Sequence, residues 1–322
     1  MKFRFLTCLL CGAMLFSALA CGCTVDGSGD ERIKVVTTVF PTYDFVREIG
    51  GDQADVTLLL TPGAESHSYE PTAADVLKIQ QCDVFVYIGG VSEQWVGEVL
   101  ENLNTEKTEV IRLFDCVTPI EQSHDHEHEN ASDEHDHHEA EYDEHIWASP
   151  LNAIRMTQEI SAAMERVDPE NMGLYSSNTD TYVHKLTQLD LLYRKAVQDA
   201  QYDTLIFGDR FPFRYLVEEY GLQYHAAFTG CSSETEASAS TLAFLIETIQ
   251  TENVPLVLYT ESSTQKIADR ICEATGADSA MLHSCNNVTK QELADGVTYL
   301  SLMEQNLDVL KRALSVAGEE TT

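Results

Sequence analysis

The feature that constrains the fold most is an alternation of short, uniformly apolar segments with amphipathic ones, and it occurs twice along the chain. In the first half, the segments IKVVTTVF, DVTLLLT, DVFVYIGG and TEVIRLF have the apolar character of strands that are buried on both faces. In the second half, DTLIFGD, LQYHAAF, VPLVLYTE and DSAMLHS repeat the pattern. The segments between them have helical spacing, which predicts parallel strands connected by helices.

We therefore predict an α/β protein with two lobes, each built on a four-stranded, mostly parallel sheet. A polar segment without strands, 169–201, is expected to form one long helix that joins an amino-terminal lobe (31–168) to a carboxy-terminal lobe (202–318). Right-handed crossovers place the loops that follow parallel strands at one edge of each sheet, where ligands bind. The sequence thus predicts a site in the cleft between the two lobes.

The first 20 residues have the charge pattern of a secretory signal, because two basic residues precede an uncharged apolar run that is short for a permanent membrane span. The run ends in SALACGC, which resembles a bacterial lipoprotein cleavage site, with Cys21 as the lipidated residue and Cys23 as the alternative. An ordinary cleaved signal remains the other interpretation. We expect residues 21–30 to be a tether and the chain to be extracytoplasmic, in the cell envelope and anchored to the membrane through lipid.

The formal net charge of −33 argues against nucleic acid as a partner. A third of this charge lies in residues 121–145, which hold eleven acidic and no basic residues, and seven of the eleven histidines lie in 123–150. Because this stretch has few apolar residues, we expect 121–144 to be a disordered loop. It is either a solvated spacer or a segment that binds metal ions weakly and transiently.

Three histidines lie where predicted strands or loops meet the cleft. His67 follows the second strand, in TPGAESHSYEPT, His145 follows the acidic stretch, and His283 ends the last strand. Each alone is most simply a surface histidine, but imidazoles that converge from three loops suit Zn²⁺ in tetrahedral geometry. His184 and His225 are expected to be structural or exposed to solvent.

Over nearly the whole of the exported part, the chain resembles the zinc- and manganese-binding solute receptors of bacterial ABC importers, the ZnuA/TroA-like family. The motifs that carry the resemblance are VVTTVFPTYDFVREIGGDQADVTLLLTPGAESHSYEPTAADV, VYIGGVSEQWV, HIWASPLNA, SSETEAS and YTESSTQKIAD. An acidic, histidine-rich insertion before the second ligand also recurs among the zinc-type members. The resemblance implies a metal ion held by side chains from four loops.

By resemblance, His67 matches the first ligand, His145 the second and His283 the fourth. The third ligand of the family is usually histidine, and its position falls on Arg210 in FGDRFPF. Arginine cannot ligate a cation.

Three ways of completing the site remain open: Asp209 takes the third place, water does, or His283 completes a site of three histidines. Glu261 matches a carboxylate that lies near the cleft in the family. We expect it to support the ligands rather than to bind the metal itself.

Two cysteines of the second half, Cys231 and Cys285, both follow predicted strands and therefore share one edge of the sheet. An oxidising compartment permits a disulfide between them. Two buried thiols are the alternative.

We expect a zinc-binding lipoprotein that captures Zn²⁺, delivers it to the membrane permease of an ABC importer, acts as a monomer and has no enzymatic activity. A manganese receptor is the alternative within the class, although Mn²⁺ prefers oxygen ligands. The alternatives from other classes are a metal buffer or adhesin and a zinc hydrolase. The sequence has no HExxH, GxSxG or phosphate-loop motif that would favour the hydrolase.

Overall fold

The computed structural model describes residues 32–122, 142–228 and 237–316. The signal segment 1–20, the tether 21–30, the lipidation candidate Cys21, residues 123–141 and Cys231 lie outside the described residues. In the part of the chain that is described, no helix combines the length and apolar character that crossing a bilayer requires.

The first lobe is built on a sheet of four strands in the order β2-β1-β3-β4, and every pairing in it is parallel. Its strands are β1 (Ile33–Thr37), β2 (Ala54–Leu58), β3 (Val84–Tyr87) and β4 (Glu109–Arg112). The helices of this lobe are α1 (Phe40–Gly50), α2 (Ala73–Gln81), α3 (Trp95–Leu100) and α4 (Pro150–Val167).

The second lobe repeats this topology, with four parallel strands in the order β6-β5-β7-β8. Its strands are β5 (Thr204–Phe207), β6 (Gln223–Ala226), β7 (Leu256–Tyr259) and β8 (Asp278–Met281). Its helices are α6 (Arg214–Tyr220), α7 (Ala239–Glu252), α8 (Lys266–Thr275), α9 (Lys290–Ala294) and α10 (Tyr299–Ala313), and the long α5 (Met172–Gln198) precedes the lobe. The predicted architecture of two α/β lobes with four-stranded sheets is confirmed, and the described strand pairs are all parallel.

Helix starts in the first lobe follow from local sequence signals. Thr72 caps α2 through a capping box, since its hydroxyl accepts from the backbone N–H of Asp75 while the Asp75 carboxylate accepts from the backbone N–H of Thr72. Ser149 caps α4 through its hydroxyl, which accepts from the backbone N–H of Asn152, and Pro150 occupies the first turn, where a missing N–H costs nothing. The second of these caps fixes the chain just after His145.

The helix α5 contacts both lobes along its 27 residues, a length of about 40 Å. In its middle, the buried ring of Tyr182 packs 6.1 Å from the ring of Phe45 in α1. Nearer its end, the buried Tyr193 donates a hydrogen bond of 2.8 Å to the carbonyl oxygen of Met303 in α10. Because one rigid helix packs on both lobes, their relative movement is restricted.

Hydrogen bonds between loops also connect the lobes. The indole nitrogen of Trp147 donates to the carbonyl oxygen of Ser284 at 2.8 Å, and the hydroxyl of Tyr299 donates to the carbonyl oxygen of Trp147 at 2.6 Å. The amide of Asn287 donates to the carbonyl oxygen of Ala64 at 2.8 Å. These bonds fix the two loops of the first lobe that carry His67 and His145 against the loop that follows β8 and against the start of α10.

The expected disorder does not hold for Tyr142–Glu144, the last residues of the predicted mobile loop. Asp143 and Glu144 are buried, at 3% and 9% exposure. The backbone N–H of Asp143 donates to the carbonyl oxygen of Ile120, and the Tyr215 hydroxyl donates to the carbonyl oxygen of Asp143 at 3.0 Å. These backbone bonds order a segment whose composition resembles that of the acidic stretch before it.

Candidate metal site

The carboxyl ends of the two sheets face each other across a cavity of about 420 Å³. His67, from the loop after β2, and His145, from the segment before α4, line it from the first lobe. Arg210, after β5, and Glu261, after β7, line it from the second lobe, together with Asn286 from the loop after β8. As predicted, polar side chains from both lobes meet in the cleft between them.

His67 and His145 lie next to each other in this cavity. Their ring centroids are 5.9 Å apart, and with Glu144 they form a group whose potential ligand atoms lie within 4.8 Å of one another. Ligand atoms around one zinc ion lie about 3.3 Å apart. A small inward movement of these side chains would bring their ligand atoms to the separation found around one zinc ion.

Each of the two histidines has a carboxylate at its Nδ1 atom. Nδ1 of His145 lies 3.0 Å from Oδ1 of Asp143, which also accepts from the His145 backbone N–H at 2.8 Å. Nδ1 of His67 lies 3.0 Å from Oε1 of Glu144. Carboxylates in this position orient metal-binding histidines and increase the basicity of the opposite nitrogen. The arrangement is therefore compatible with coordination through both Nε2 atoms.

Glu144 is held by Ser92, whose backbone N–H donates to Oε2 at 2.9 Å and whose hydroxyl donates to Oε1. Burial disfavours the charged carboxylate, but the hydrogen bond with His67, the charge of His145 and the bonds from Ser92 outweigh it and lower the pKa of Glu144 to about 2. Since both of its oxygens have partners in the protein, Glu144 is suited to orienting the ring of His67 through Nδ1.

The close approach of Glu144 to the chain depends on Gly90. A Cβ atom built on Gly90 would overlap both the carboxylate and the Cβ of Glu144. Only glycine at this position leaves room for the buried carboxylate.

His283, the third predicted histidine, lies outside this group and does not line the cavity. Its side chain is 3% exposed, and its Nδ1 accepts from the backbone N–H of Cys285 at 2.9 Å. Asn306 in α10 accepts from the His283 backbone N–H at 2.7 Å. Within the described residues, the structure does not bring the three predicted histidines together, because these bonds hold His283 beside α10.

Asp209 and Glu261, the two carboxylates considered in the second lobe, are held by neighbouring loops. Oδ2 of Asp209 accepts from the backbone N–H of Thr260 at 2.8 Å and from its hydroxyl at 2.6 Å. Glu261 lines the cavity, and its carboxylate accepts from the backbone N–H of Ser284 at 2.8 Å and from the Ser284 hydroxyl at 2.5 Å. Ser284 thus holds Glu261 with the same two donors that Ser92 uses on Glu144.

Cys285, one half of the predicted disulfide, is a free thiol in the structure. Its side chain is completely buried, and burial raises the pKa of this thiol well above its ordinary value. Cys285 follows β8, and its side chain is buried in the core. The predicted partner, Cys231, lies outside the described residues.

Comparison with known proteins gives a match for most of the chain. A family model described as "Zinc-uptake complex component A periplasmic" (ZnuA) matches residues 35–313. The high-affinity zinc uptake system protein ZnuA of Bacillus subtilis (strain 168) is 34% identical over 301 residues, which cover 92% of this chain and 93% of that protein. The zinc-binding protein AdcA of Streptococcus pyogenes serotype M3 is 30% identical over 299 residues, or 90% of this chain. This chain spans only 58% of the length of that streptococcal protein.

Comparison of the three-dimensional structure gives similar proteins. The crystal structure of the Zn(II)-bound ZnuA-like domain of Streptococcus pneumoniae AdcA superposes with a TM-score of 0.73 at 29% identity, covering 88% of this chain and 99% of that domain. The similarity extends over both lobes and agrees with the resemblance seen in the sequence motifs.

Proposed function

Since this chain belongs to the zinc-uptake complex component A (ZnuA) family, we propose that it is an extracytoplasmic receptor that binds one Zn²⁺ between its lobes. The observation that carries the proposal is the pair His67 and His145, each with a carboxylate at Nδ1, at the cavity between the sheets. We assign these two histidines as ligands through Nε2, and Glu144 and Asp143 as the carboxylates that orient them. His283 stays a predicted third ligand, although its ring lies outside the cavity lining.

Zinc is the preferred cargo because the donors are nitrogen-rich. At sites of nitrogen and oxygen ligands, the general order of affinity places Zn²⁺ well above Mn²⁺. The names of the relatives from Bacillus subtilis and Streptococcus pyogenes describe zinc uptake and zinc binding, which supports the same cargo.

We propose that the receptor is monomeric, that it delivers Zn²⁺ to the permease of an ABC importer, and that it is anchored to the membrane by lipid on Cys21. Support for the anchor comes from the SALACGC sequence and from the AdcA of Streptococcus pneumoniae, which is described as a zinc-binding lipoprotein. Metabolic labelling with a fatty acid tests it, because wild-type protein should incorporate label and Cys21→Ala should not. Label retained in the variant would move the assignment to Cys23.

A receptor requires no turnover, and we propose that this chain is not an enzyme. The family relatives are named for binding and uptake of zinc. A zinc hydrolase would need a general base and a substrate beside the metal. Hydrolysis of ester or peptide substrates by the zinc-loaded protein, abolished in His145→Ala, would refute this part of the proposal.

The deciding experiment for the binding function is a competition titration of Zn²⁺ and Mn²⁺ on single alanine variants. Substitution of His67 or His145 should weaken zinc binding by at least about 100-fold, because each removes a ligand. His184→Ala, which removes an exposed histidine on α5, is the matched control and should bind as wild type does. His283→Ala tests the remaining predicted ligand. Unchanged affinity in both His67→Ala and His145→Ala would refute the site.

A further inference from the structure

We infer that Glu65 supplies a carboxylate ligand to the bound zinc and that Arg210, from the opposite lobe, holds this carboxylate in position. The inference rests on the zinc site proposed above and extends it to two residues with no role so far. It also explains how a receptor of this family can function with arginine at the position where the resemblance implies a histidine ligand.

The side chain of Glu65 is folded back over His67. Its Oε1 accepts from the backbone N–H of His67 at 3.5 Å, and the same oxygen lies 3.9 Å from Nε2 of the His67 ring. Two ligand atoms on one zinc ion are separated by about 3.3 Å. A shift of about half an ångström would therefore place Oε1 in a shared coordination sphere, and the Glu65 side chain, 43% exposed, has room for it.

Arg210 lies on the other side of the same carboxylate. Its Nη1 is 3.7 Å from Oε2 of Glu65, so one oxygen faces the guanidinium while the other faces the imidazole. Arginine cannot bind a metal ion, but it binds carboxylates well. The residue before it, Asp209, is fixed to Thr260 by two hydrogen bonds, which anchors the backbone at the end of β5.

Two other carboxylates near the site have hydrogen-bond partners on both oxygens. Both oxygens of Glu144 accept hydrogen bonds from Ser92, and both oxygens of Glu261 accept from Ser284. Zinc in a protein takes four donors, and two imidazoles supply only half of them. Among the described residues that line the cavity, Glu65 is the carboxylate that lies within 4 Å of the Nε2 atom of His67, the atom proposed to bind the metal.

This arrangement gives the two residues different tasks. Glu65 touches the metal, whereas Arg210 acts through Glu65 and is a positioning residue. Because Glu65 belongs to the first lobe and Arg210 to the second, a correctly placed ligand requires the two lobes to be together.

The test combines zinc competition titrations with the visible absorption of the Co²⁺-loaded protein, whose band intensity reports the coordination sphere. Glu65→Gln should weaken zinc binding by at least about tenfold and alter the Co²⁺ spectrum, because it removes a charged ligand. Arg210→Met should shift both readouts in the same direction by less. The double variant should match Glu65→Gln within about twofold, since the two residues act as a unit. Glu70→Gln, an exposed carboxylate in the same loop, is the control and should leave both readouts unchanged.

The outcomes separate this inference from the proposed function. Absence of tight zinc binding in the wild type, or tight binding that survives loss of His67 and His145, refutes the receptor itself. Tight binding that requires both histidines but is unchanged in Glu65→Gln, with the wild-type Co²⁺ spectrum, overturns the inference alone. A second result also overturns the inference: citrate strengthens zinc binding in the wild type and in Glu65→Gln, but not in Arg210→Met. Arg210 would then bind an external anion instead of Glu65.

Discussion

Trp147 donates a hydrogen bond from its indole nitrogen to the carbonyl oxygen of Ser284, 2.8 Å away in the opposite lobe. Trp147 is two residues from His145, and the two rings lie 5.3 Å apart. Ser284 in turn holds Glu261 with its backbone N–H and its hydroxyl. One side chain thus connects a proposed zinc ligand of the first lobe to the loop that orders the cavity wall of the second.

Replacing Trp147 by Phe should destabilise the protein by about 1–3 kcal/mol, because the buried carbonyl of Ser284 loses its partner while the apolar packing is largely kept. Urea unfolding followed by far-ultraviolet circular dichroism measures the change. Trp95→Phe is the matched control, since no partner of the Trp95 indole nitrogen is found among the described residues. An equal loss in both variants would show that ring size rather than the hydrogen bond is responsible.

Deletion of residues 123–141 should leave one tight zinc equivalent and remove weaker additional equivalents. The reason is that His67, Glu144 and His145 all lie outside the deleted range, whereas six histidines lie within it. Titration calorimetry of the wild type and the deletion variant measures both classes of site. Loss of tight binding on deletion would instead assign the metal site to the acidic stretch and support a metal buffer.

Gly90→Ala should weaken zinc binding by about tenfold without unfolding the protein, because the new Cβ displaces Glu144 from behind His67. Competition titration measures the affinity, and circular dichroism checks the fold. Gly97→Ala is the control: it lies in α3, no atom is within 4 Å of the added Cβ, and alanine favours a helix. Wild-type affinity in Gly90→Ala would refute the role of Glu144.

Zinc affinity should fall as the pH drops, because protons compete with the metal for the imidazole nitrogens. With two histidine ligands, the fall approaches about 100-fold per pH unit once both imidazoles of the metal-free protein are protonated. Competition titrations at pH 7.5, 6.5 and 5.5 test this, and His184→Ala should reproduce the wild-type profile. A flat profile would contradict coordination by His67 and His145.

Asp44→Asn should flatten the pH dependence of stability. Burial raises the pKa of Asp44 to about 7, although a hydrogen bond from the backbone N–H of Tyr299 opposes the shift. The folded state keeps the proton up to that pH while the unfolded chain releases it near 3.8, so stability falls as pH rises between these values. The slope is at most about 1.4 kcal/mol per pH unit.

Urea unfolding of Asp44→Asn between pH 4.5 and 7.5 measures this slope. It should be smaller than in the wild type by an amount that corresponds to at most one proton released on unfolding. Asp52→Asn, an exposed carboxylate close to the same helix, serves as control and should keep the wild-type slope. Parallel profiles for the wild type and Asp44→Asn would refute the assignment.

The strands with uniformly apolar segments were the most readily predicted. Val84, Phe85 and Val86 of β3, for example, are completely buried between helices on both faces of the sheet. Such strands contain no polar residue that would suggest another structure, so composition alone identifies them. The positions of His67 and His145 in the cavity follow from the same logic, because loops at the carboxyl ends of parallel strands converge.

The carboxylates around these histidines were not found from the sequence. Asp143 and Glu144 end a run of acidic residues, so composition assigned them to the spacer. A local cue existed in the spacing of Asp143 to His145, since a carboxylate two residues before a histidine can reach both its backbone N–H and its ring. Glu65 has the same spacing to His67.

The hydrogen bonds that hold His283 were beyond sequence reasoning. Cys285 adopts a positive φ of 61°, rare for a residue with a side chain, and its backbone N–H donates to Nδ1 of His283. The sequence SCNN contains no glycine that would indicate this turn. Placement at the end of a strand therefore did not establish which hydrogen bonds the imidazole makes, and coordination by His283 stays a prediction.

The buried thiol of Cys285 has a consequence for the kinetics of the molecule. A thiol reagent cannot reach this sulfur while the core is closed, whereas Cys272 is only partly buried. The rate at which Cys285 is modified therefore reports how often the region behind the loop after β8 becomes transiently accessible, as amide exchange does for a backbone group. Cargo that stabilises the closed lobes should slow this reaction in proportion to its occupancy, so the native chain contains its own chemical probe of opening.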